Sequence, residues 1–95
     1  MGARRLTFRV HALARMFERA VRAEDVRQVL EVGRTIETYP DDLPYPSRLV
    51  LGWVRDRPLH VVVADDETND VAIIVTVYEP EPARWESGFE KRRKR

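Results

Sequence analysis

Four basic side chains are spaced so that a single helix would present them together. The intervals are four, four and three residues between His11, Arg15, Arg19 and Arg22. At about 100° per residue, positions with these spacings share one strip of a helix surface. Like charges in a row repel one another unless water or a partner neutralises them. Two interpretations are open: this basic strip binds an anion such as a phosphate backbone, or it is a solvated helix face.

A histidine and a tyrosine lie at the ends of two later segments with the composition of strands. His60 begins the apolar run that continues through Val61–Val63, and Tyr78 ends the run that starts at Val71. If the two strands pair antiparallel, these side chains lie close together. RNA cleavage without a metal needs a base, an acid and cations for the charge that grows on the phosphate. The pair therefore predicts a site for such chemistry.

Candidate roles follow from the side-chain types. The candidate catalytic residues are His60 as the acid or base, because imidazole titrates near neutral pH, Tyr78 as proton donor or phosphate-positioning residue, and His11. The guanidinium groups expected to bind phosphate belong to Arg15, Arg19 and Arg22. The aromatic residues expected to stack on a base are Trp53 and Tyr45, or Trp85. Structural roles are open for the same residues: a core-edge histidine, a packing tyrosine at a strand end and a core tryptophan. No residue is assigned to a metal or cofactor.

Two helices are predicted to position the basic strip. The first runs from about residue 10 to 20, with an apolar back formed by Leu13, Met16, Phe17 and Ala20. The second begins near Ala23, and Gly33 is expected to be its left-handed C-cap. Residues 6–10 alternate between apolar and polar side chains, which favours an extended lead-in before the first helix.

Four strands are predicted after the helices, at residues 35–39, 48–54, 59–64 and 71–78. Residues 83–89 are expected to form a short helical turn that docks Trp85 and Phe89 onto the core. The expected fold class is α+β, with two N-terminal helices packed on a four-stranded antiparallel sheet and a short C-terminal helical turn. A single domain is predicted over residues 1–90, followed by a basic, disordered tail at 91–95.

Composition limits the class of protein. The chain of 95 residues has no cysteine, which excludes disulfides, and its two histidines argue against structural zinc. No apolar run approaches the roughly 20 residues of a membrane span, so we expect a cytoplasmic protein with no membrane partner. Residues 1–22 carry six arginines against one acid, whereas residues 37–90 carry twelve acids and four bases. This polarity is typical of a protein with one anion-binding surface, or of two poles that neutralise each other.

Three motifs carry a resemblance to a known family. They are His11–Arg19, Arg57–Val63 and Thr76–Pro80, the last followed by Trp85. Together they resemble a bacterial and archaeal family of domains of unknown function, over about residues 8–90. That family is similar to the RelE/ParE-like toxins, including the MqsR and BrnT types. The chain departs from the family at Ala20, where a glycine is common, and this predicts a longer first helix.

The resemblance implies a RelE/ParE-like fold and a specific function. The protein would be the toxin of a type II toxin–antitoxin system, a metal-independent mRNA endonuclease without cofactors. Its partners would be RNA, including mRNA bound on the ribosome, and a cognate antitoxin of the zinc-finger or helix-turn-helix type. Two alternatives are open: a non-enzymatic toxin that binds a protein target such as gyrase, and a plain nucleic-acid or partner-binding module. Fold similarity alone does not decide among them.

Overall fold

The computed structural model describes residues 4–94, in which two helices pack on one face of a five-stranded mixed sheet. In chain order the elements are β1 (Arg5–Phe8), α1 (Val10–Arg19), α2 (Ala23–Val32), β2 (Arg34–Tyr39), β3 (Ser47–Val54), β4 (Arg57–Asp66) and β5 (Val71–Tyr78). Helix α1 packs on β5, and α2 packs on β3 and β4. The predicted α+β class is confirmed. Within the described residues, no helix is long and apolar enough to cross a membrane.

The four predicted strands pair antiparallel as expected, but the sheet has a fifth strand, so the prediction of a four-stranded, wholly antiparallel sheet is wrong. The extended lead-in joins the sheet as β1, which pairs parallel to β5, and the strand order is β1-β5-β4-β3-β2. Leu6 and Phe8 pack against the core from this edge strand. The sequence pattern shows that these residues are extended. It does not identify the strand with which they pair, because β5 is distant from them in the sequence.

The C-terminal helical turn predicted over residues 83–89 is absent. Gly88 and Phe89 have φ angles of 90° and 62°, in the left-handed region, which a right-handed helix does not tolerate. The chain instead folds back on itself, and Trp85 forms an isolated antiparallel bridge with Arg92. The predicted docking of Trp85 is confirmed, since it is 3% exposed. We call residues 81–94 the C-terminal segment.

The ends of both helices differ from expectation. Helix α1 is not lengthened: Ala20 has φ 55° and ψ 47°, and the Val21 amide donates to the Met16 carbonyl at 2.8 Å. Ala20 therefore occupies the left-handed C-cap position that normally favours glycine. Gly33 is not left-handed, because its φ is −79°. A glycine is required there by close packing, since a Cβ would lie 2.3 Å from the Val29 carbonyl oxygen.

The buried side of α1 overlaps only in part with the predicted apolar back, since Met16 is buried as expected. Leu13 and Phe17 are 49% and 89% exposed, whereas Ala12 and Met16 pack into the core against the sheet. The apolar pattern of this helix is broad enough to allow either orientation, and packing on β5 selects the side that carries Ala12 and Met16. Arg19 follows Met16 at the i+3 position, so the basic strip borders the buried side of the helix. The C-terminal end of the strip therefore lies beside the sheet.

Candidate functional site

His60 lies on the sheet face opposite the helices and is fully buried. The register of β4 and β5 pairs it with Tyr78, so the proximity predicted from the sequence is confirmed. Its Nδ1 atom is 3.2 Å from the Tyr78 hydroxyl oxygen, and its Nε2 atom is 2.9 Å from the Phe89 carbonyl oxygen. The Trp85 ring stands nearly perpendicular to the imidazole, with centroids 4.5 Å apart. The C-terminal segment thus covers His60 and separates it from solvent.

The partners of His60 determine which ring nitrogen carries the proton. A carbonyl oxygen can only accept, so the Phe89 carbonyl assigns the proton to Nε2. Nδ1 is then an acceptor, and the Tyr78 hydroxyl donates to it. Burial lowers the pKa of His60, while the Phe89 carbonyl and the charge of Glu37 act in the opposite direction. The imidazole is therefore neutral at pH 7, and burial also raises the pKa of Tyr78 so that its phenol stays protonated.

Tyr78 opens onto a groove at the end of β5. A cavity of about 360 Å³ is lined by Arg19, Tyr78, Glu79, Glu81, Arg84, Trp85 and Arg92. A second cavity shares two of these arginines and is lined by Ala83, Arg84, Arg92, Arg93 and Lys94. We call the two cavities together the basic groove. Five cationic side chains and two carboxylates line it, an arrangement that attracts anions.

Arg57 ties the end of α1 to the end of β5. Its guanidinium donates to the Arg19 carbonyl and, at 3.3 Å, to the Ala20 carbonyl, which are exposed at the helix C-terminus. The same guanidinium pairs with Glu79 at 3.2 Å. This clamp holds the backbone of Arg19 beside the groove. Within residues 4–94 the Arg19 guanidinium itself forms no ion pair, so it is available to a ligand.

Arg92 is held in the groove by two contacts. Its guanidinium lies 4.6 Å from the centre of the Trp85 ring and donates to both carboxylate oxygens of Glu37, at 3.0 and 3.2 Å. These hydrogen bonds are the main reason that the pKa of Glu37 is lowered. Arg92 belongs to the basic stretch for which the sequence predicts disorder, and no sequence signal distinguishes it from its basic neighbours. Arg95 lies outside the described residues.

Only Arg19 of the predicted basic strip lines the groove. Arg15 pairs with Glu18 at 3.1 Å on the exposed side of α1, and His11 is exposed in the first turn. Arg22 does not continue the strip, because the left-handed Ala20 ends α1 before it and Arg22 precedes α2. The three-residue spacing from Arg19 to Arg22 would place both side chains on one face only if the helix continued through Ala20, where it ends.

Two of the predicted stacking residues, Trp53 and Tyr45, lie in other cavities, and Trp85 borders the groove but is buried. Trp53 is about half exposed, 6.0 Å from the ring of Phe89, and lines a cavity at the β2–β3 side of the sheet. Tyr45 is half-buried on the same face as His60, in a cavity that also contains Arg9. The neighbouring Asp66 carboxylate raises the pKa of Tyr45. Among residues 4–94, no group of three or more His, Cys, Asp or Glu side chains could hold a metal ion.

Comparison with known families places this site in context. Residues 8–79 match the model of a family described as Domain of unknown function (DUF4258). The chain belongs to that family. The DUF4258 match contains Arg19, His60 and Tyr78, while the C-terminal segment that supplies Trp85 and Arg92 lies beyond it. No curated protein and no solved structure matched the chain. The family description names no activity, so the similarity to RelE/ParE-like toxins stays a prediction.

Proposed function

We propose that this chain is a metal-independent endoribonuclease that acts as the toxin of a type II toxin–antitoxin system on cytoplasmic mRNA. One observation carries the proposal: Arg19 of α1 and Tyr78 of β5 line the same groove, and Tyr78 is hydrogen-bonded to a neutral imidazole. A cation for the phosphate and a hydroxyl that can exchange a proton are the groups that RNA cleavage needs. The motif resemblance to RelE/ParE-like toxins supports the toxin role.

The groove has the charges to hold a phosphodiester. Its two carboxylates are already engaged, since Glu79 pairs with Arg57 and Glu81 pairs with Arg84 at 3.4 Å. Arg19 is left to bind the phosphate next to Tyr78, and guanidinium groups bind phosphate through paired hydrogen bonds. Arg93 and Lys94, which form no ion pair within residues 4–94, continue this surface for the neighbouring phosphates. An RNA strand would therefore cross the end of β5.

Tyr78 is the proposed catalytic residue, and His60 acts through it, positioning the hydroxyl and accepting its proton. Because the Tyr78 hydroxyl donates to His60 Nδ1, its oxygen lone pairs can accept a hydrogen bond from the ribose 2′-hydroxyl. In the reaction the 2′-oxygen attacks phosphorus while its proton passes to the Tyr78 oxygen, and the Tyr78 proton passes to Nδ1. The 5′-oxygen leaves and takes a proton from water, and His60 returns its proton through Tyr78 to the hydroxide. The products are a 2′,3′-cyclic phosphate and a 5′-hydroxyl.

The direct test uses two arginines of the same helix. Purified protein is incubated with RNA in EDTA, and cleavage products are identified by mass spectrometry. We expect Arg19→Gln to slow cleavage by about 100-fold, the usual effect of losing one group that stabilises the transition state. Arg15→Gln is the matched control, because Arg15 lies four residues earlier outside the groove. Equal cleavage by both variants would contradict the proposed site.

Expression in cells separates the alternative functions. Arrest of growth together with cleaved mRNA, relieved by co-expression of a cognate zinc-finger or helix-turn-helix antitoxin, would support the toxin nuclease. Arrest with intact RNA that persists in Tyr78→Phe would favour a toxin that binds a protein target such as gyrase. Harmless expression with RNA binding but no cleavage would favour a plain nucleic-acid-binding module.

A further inference from the structure

A separate cavity, outside the basic groove, lies on the sheet face that carries His60. It has a volume of about 220 Å³ and is bounded by the proline-rich loop after β2 and by strands β3, β4 and β5. Its lining includes three apolar side chains of the sheet, Val62, Ala64 and Val75, and at its rim Arg9, Asp42 and Tyr45. Pockets for drug-sized ligands are usually larger, at about 300–1,000 Å³. The cavity therefore fits one small group rather than an extended ligand.

The strand register places this cavity close to Tyr78. His60 pairs with Tyr78, and Val62, on the same face two residues later, pairs with Thr76. At about 3.3 Å per residue, the near edge of the cavity is about 7 Å along the strand from the His60 position. One extended strand of RNA could place a phosphate beside Tyr78 and a neighbouring base in the cavity.

The side chains of the cavity match the chemistry of a nucleobase. The apolar side chains of the sheet and the ring of Tyr45 can contact the faces of a planar base. The Asp42 carboxylate accepts from the Ser47 hydroxyl at 2.5 Å and keeps further lone pairs for a ligand. Arg9 is paired with no carboxylate in the described part of the chain, so it can donate to a ligand carbonyl.

We propose that this cavity is a base-binding subsite that prefers guanine. Guanine has two adjacent N–H donors for the Asp42 carboxylate and a neighbouring carbonyl oxygen for Arg9. Adenine instead presents a ring acceptor where guanine has a donor, and this atom would face the carboxylate unfavourably. The subsite rests on the proposed function for its role in selecting the RNA sequence. The binding of the base itself can be measured without any cleavage.

The test compares guanosine and adenosine 5′-monophosphate binding to the full chain by NMR titration of backbone amides. We expect guanosine monophosphate to bind at least about tenfold more tightly, the discrimination typical of a paired hydrogen-bond contact to a base. The amides that shift should include those of Arg9, Asp42 and Tyr45. Asp42→Asn should reduce the preference to within about twofold. Asp41→Asn is the matched control, because it removes a neighbouring carboxylate that does not line the cavity, and it should keep the preference.

Equal affinity for the two nucleotides, or a preference unchanged in Asp42→Asn, would overturn the guanine subsite. Either result would leave the nuclease proposal standing if Tyr78→Phe still abolishes RNA cleavage. A guanine preference without any RNA cleavage would support the subsite and refute the nuclease. The two proposals therefore fail separately.

Discussion

Replacing Tyr78 with phenylalanine tests the hydrogen bond on which the proposed chemistry depends. The ring and its edge contact with the His60 imidazole, at 5.2 Å between centroids, would remain. The hydroxyl that donates to Nδ1 at 3.2 Å would be lost. Nδ1 belongs to a fully buried side chain whose other nitrogen is already bonded to the Phe89 carbonyl. It would therefore be left without a donor, which costs about 1–3 kcal/mol.

Two measurements follow from this change. Urea unfolding should show a free energy of unfolding lower by that amount, with the slope of the transition unchanged. RNA cleavage in EDTA should fall by about 10²–10⁴-fold, the usual contribution of a general acid or base. Tyr39→Phe is the control, because the Tyr39 hydroxyl donates to Glu37 and Tyr39 does not line the groove. We expect this variant to cleave RNA within a few-fold of the unchanged protein.

A folded Tyr78→Phe variant that cleaves RNA as fast as Tyr39→Phe would show that the Tyr78 hydroxyl takes no part in cleavage. A loss of activity without any loss of stability would refute a narrower point. It would show that His60 does not depend on Tyr78 for its hydrogen bond, and that the hydroxyl acts without the imidazole.

Three further predictions concern stability. Burial lowers the pKa of His60 below the value of 6.5 that it has in the unfolded chain, so the unfolded chain binds the proton more readily. Lowering the pH from 6.5 should therefore reduce the free energy of unfolding until the pKa of folded His60 is passed. A pKa of His60 at or above 6.5 in an NMR titration would contradict this. Gly52→Ala should lower stability by about 1–3 kcal/mol in thermal unfolding, because the added Cβ would lie 2.8 Å from a Val29 methyl group. An unchanged melting temperature would show that α2 can shift away. Ala20→Gly should raise the free energy of unfolding by up to about 1 kcal/mol, since glycine adopts the positive φ of Ala20 without steric strain. A lower free energy of unfolding in urea would show that the conformational entropy of glycine in the unfolded chain outweighs the loss of strain.

The regular elements were largely predictable from local pattern. The helical periodicity placed both helices within a residue or two of α1 and α2, and the β-branched runs placed β2 to β5 similarly. These signals are local, because the side-chain period and the capping residues act within one or two turns of chain. The orientation of α1 was not predictable, since Phe17 and Met16 give nearly the same pattern and only contact with β5 distinguishes them.

The candidate site was predictable only in part. The pairing of His60 with Tyr78 followed from the assumption of an antiparallel hairpin, and the register confirms it. The burial of His60 did not follow, because the cover comes from Trp85 and Phe89 of a segment without regular secondary structure. Its position depends on left-handed backbone at residues 88 and 89, which local propensity does not predict.

Local sequence pattern was enough to predict two helices, a set of strands and an excess of arginine near the N-terminus. It placed His60 near Tyr78 only on the condition that their strands pair antiparallel. Only long-range packing sets the parallel pairing of β1 with β5, the position of Arg19 as the one residue of the basic strip in the groove, and the burial of His60. The difference arises from how far apart the interacting residues lie in the sequence. Periodicity and capping act between neighbours in the chain, whereas the groove is formed by residues that only packing and a bend at Ala20 bring together.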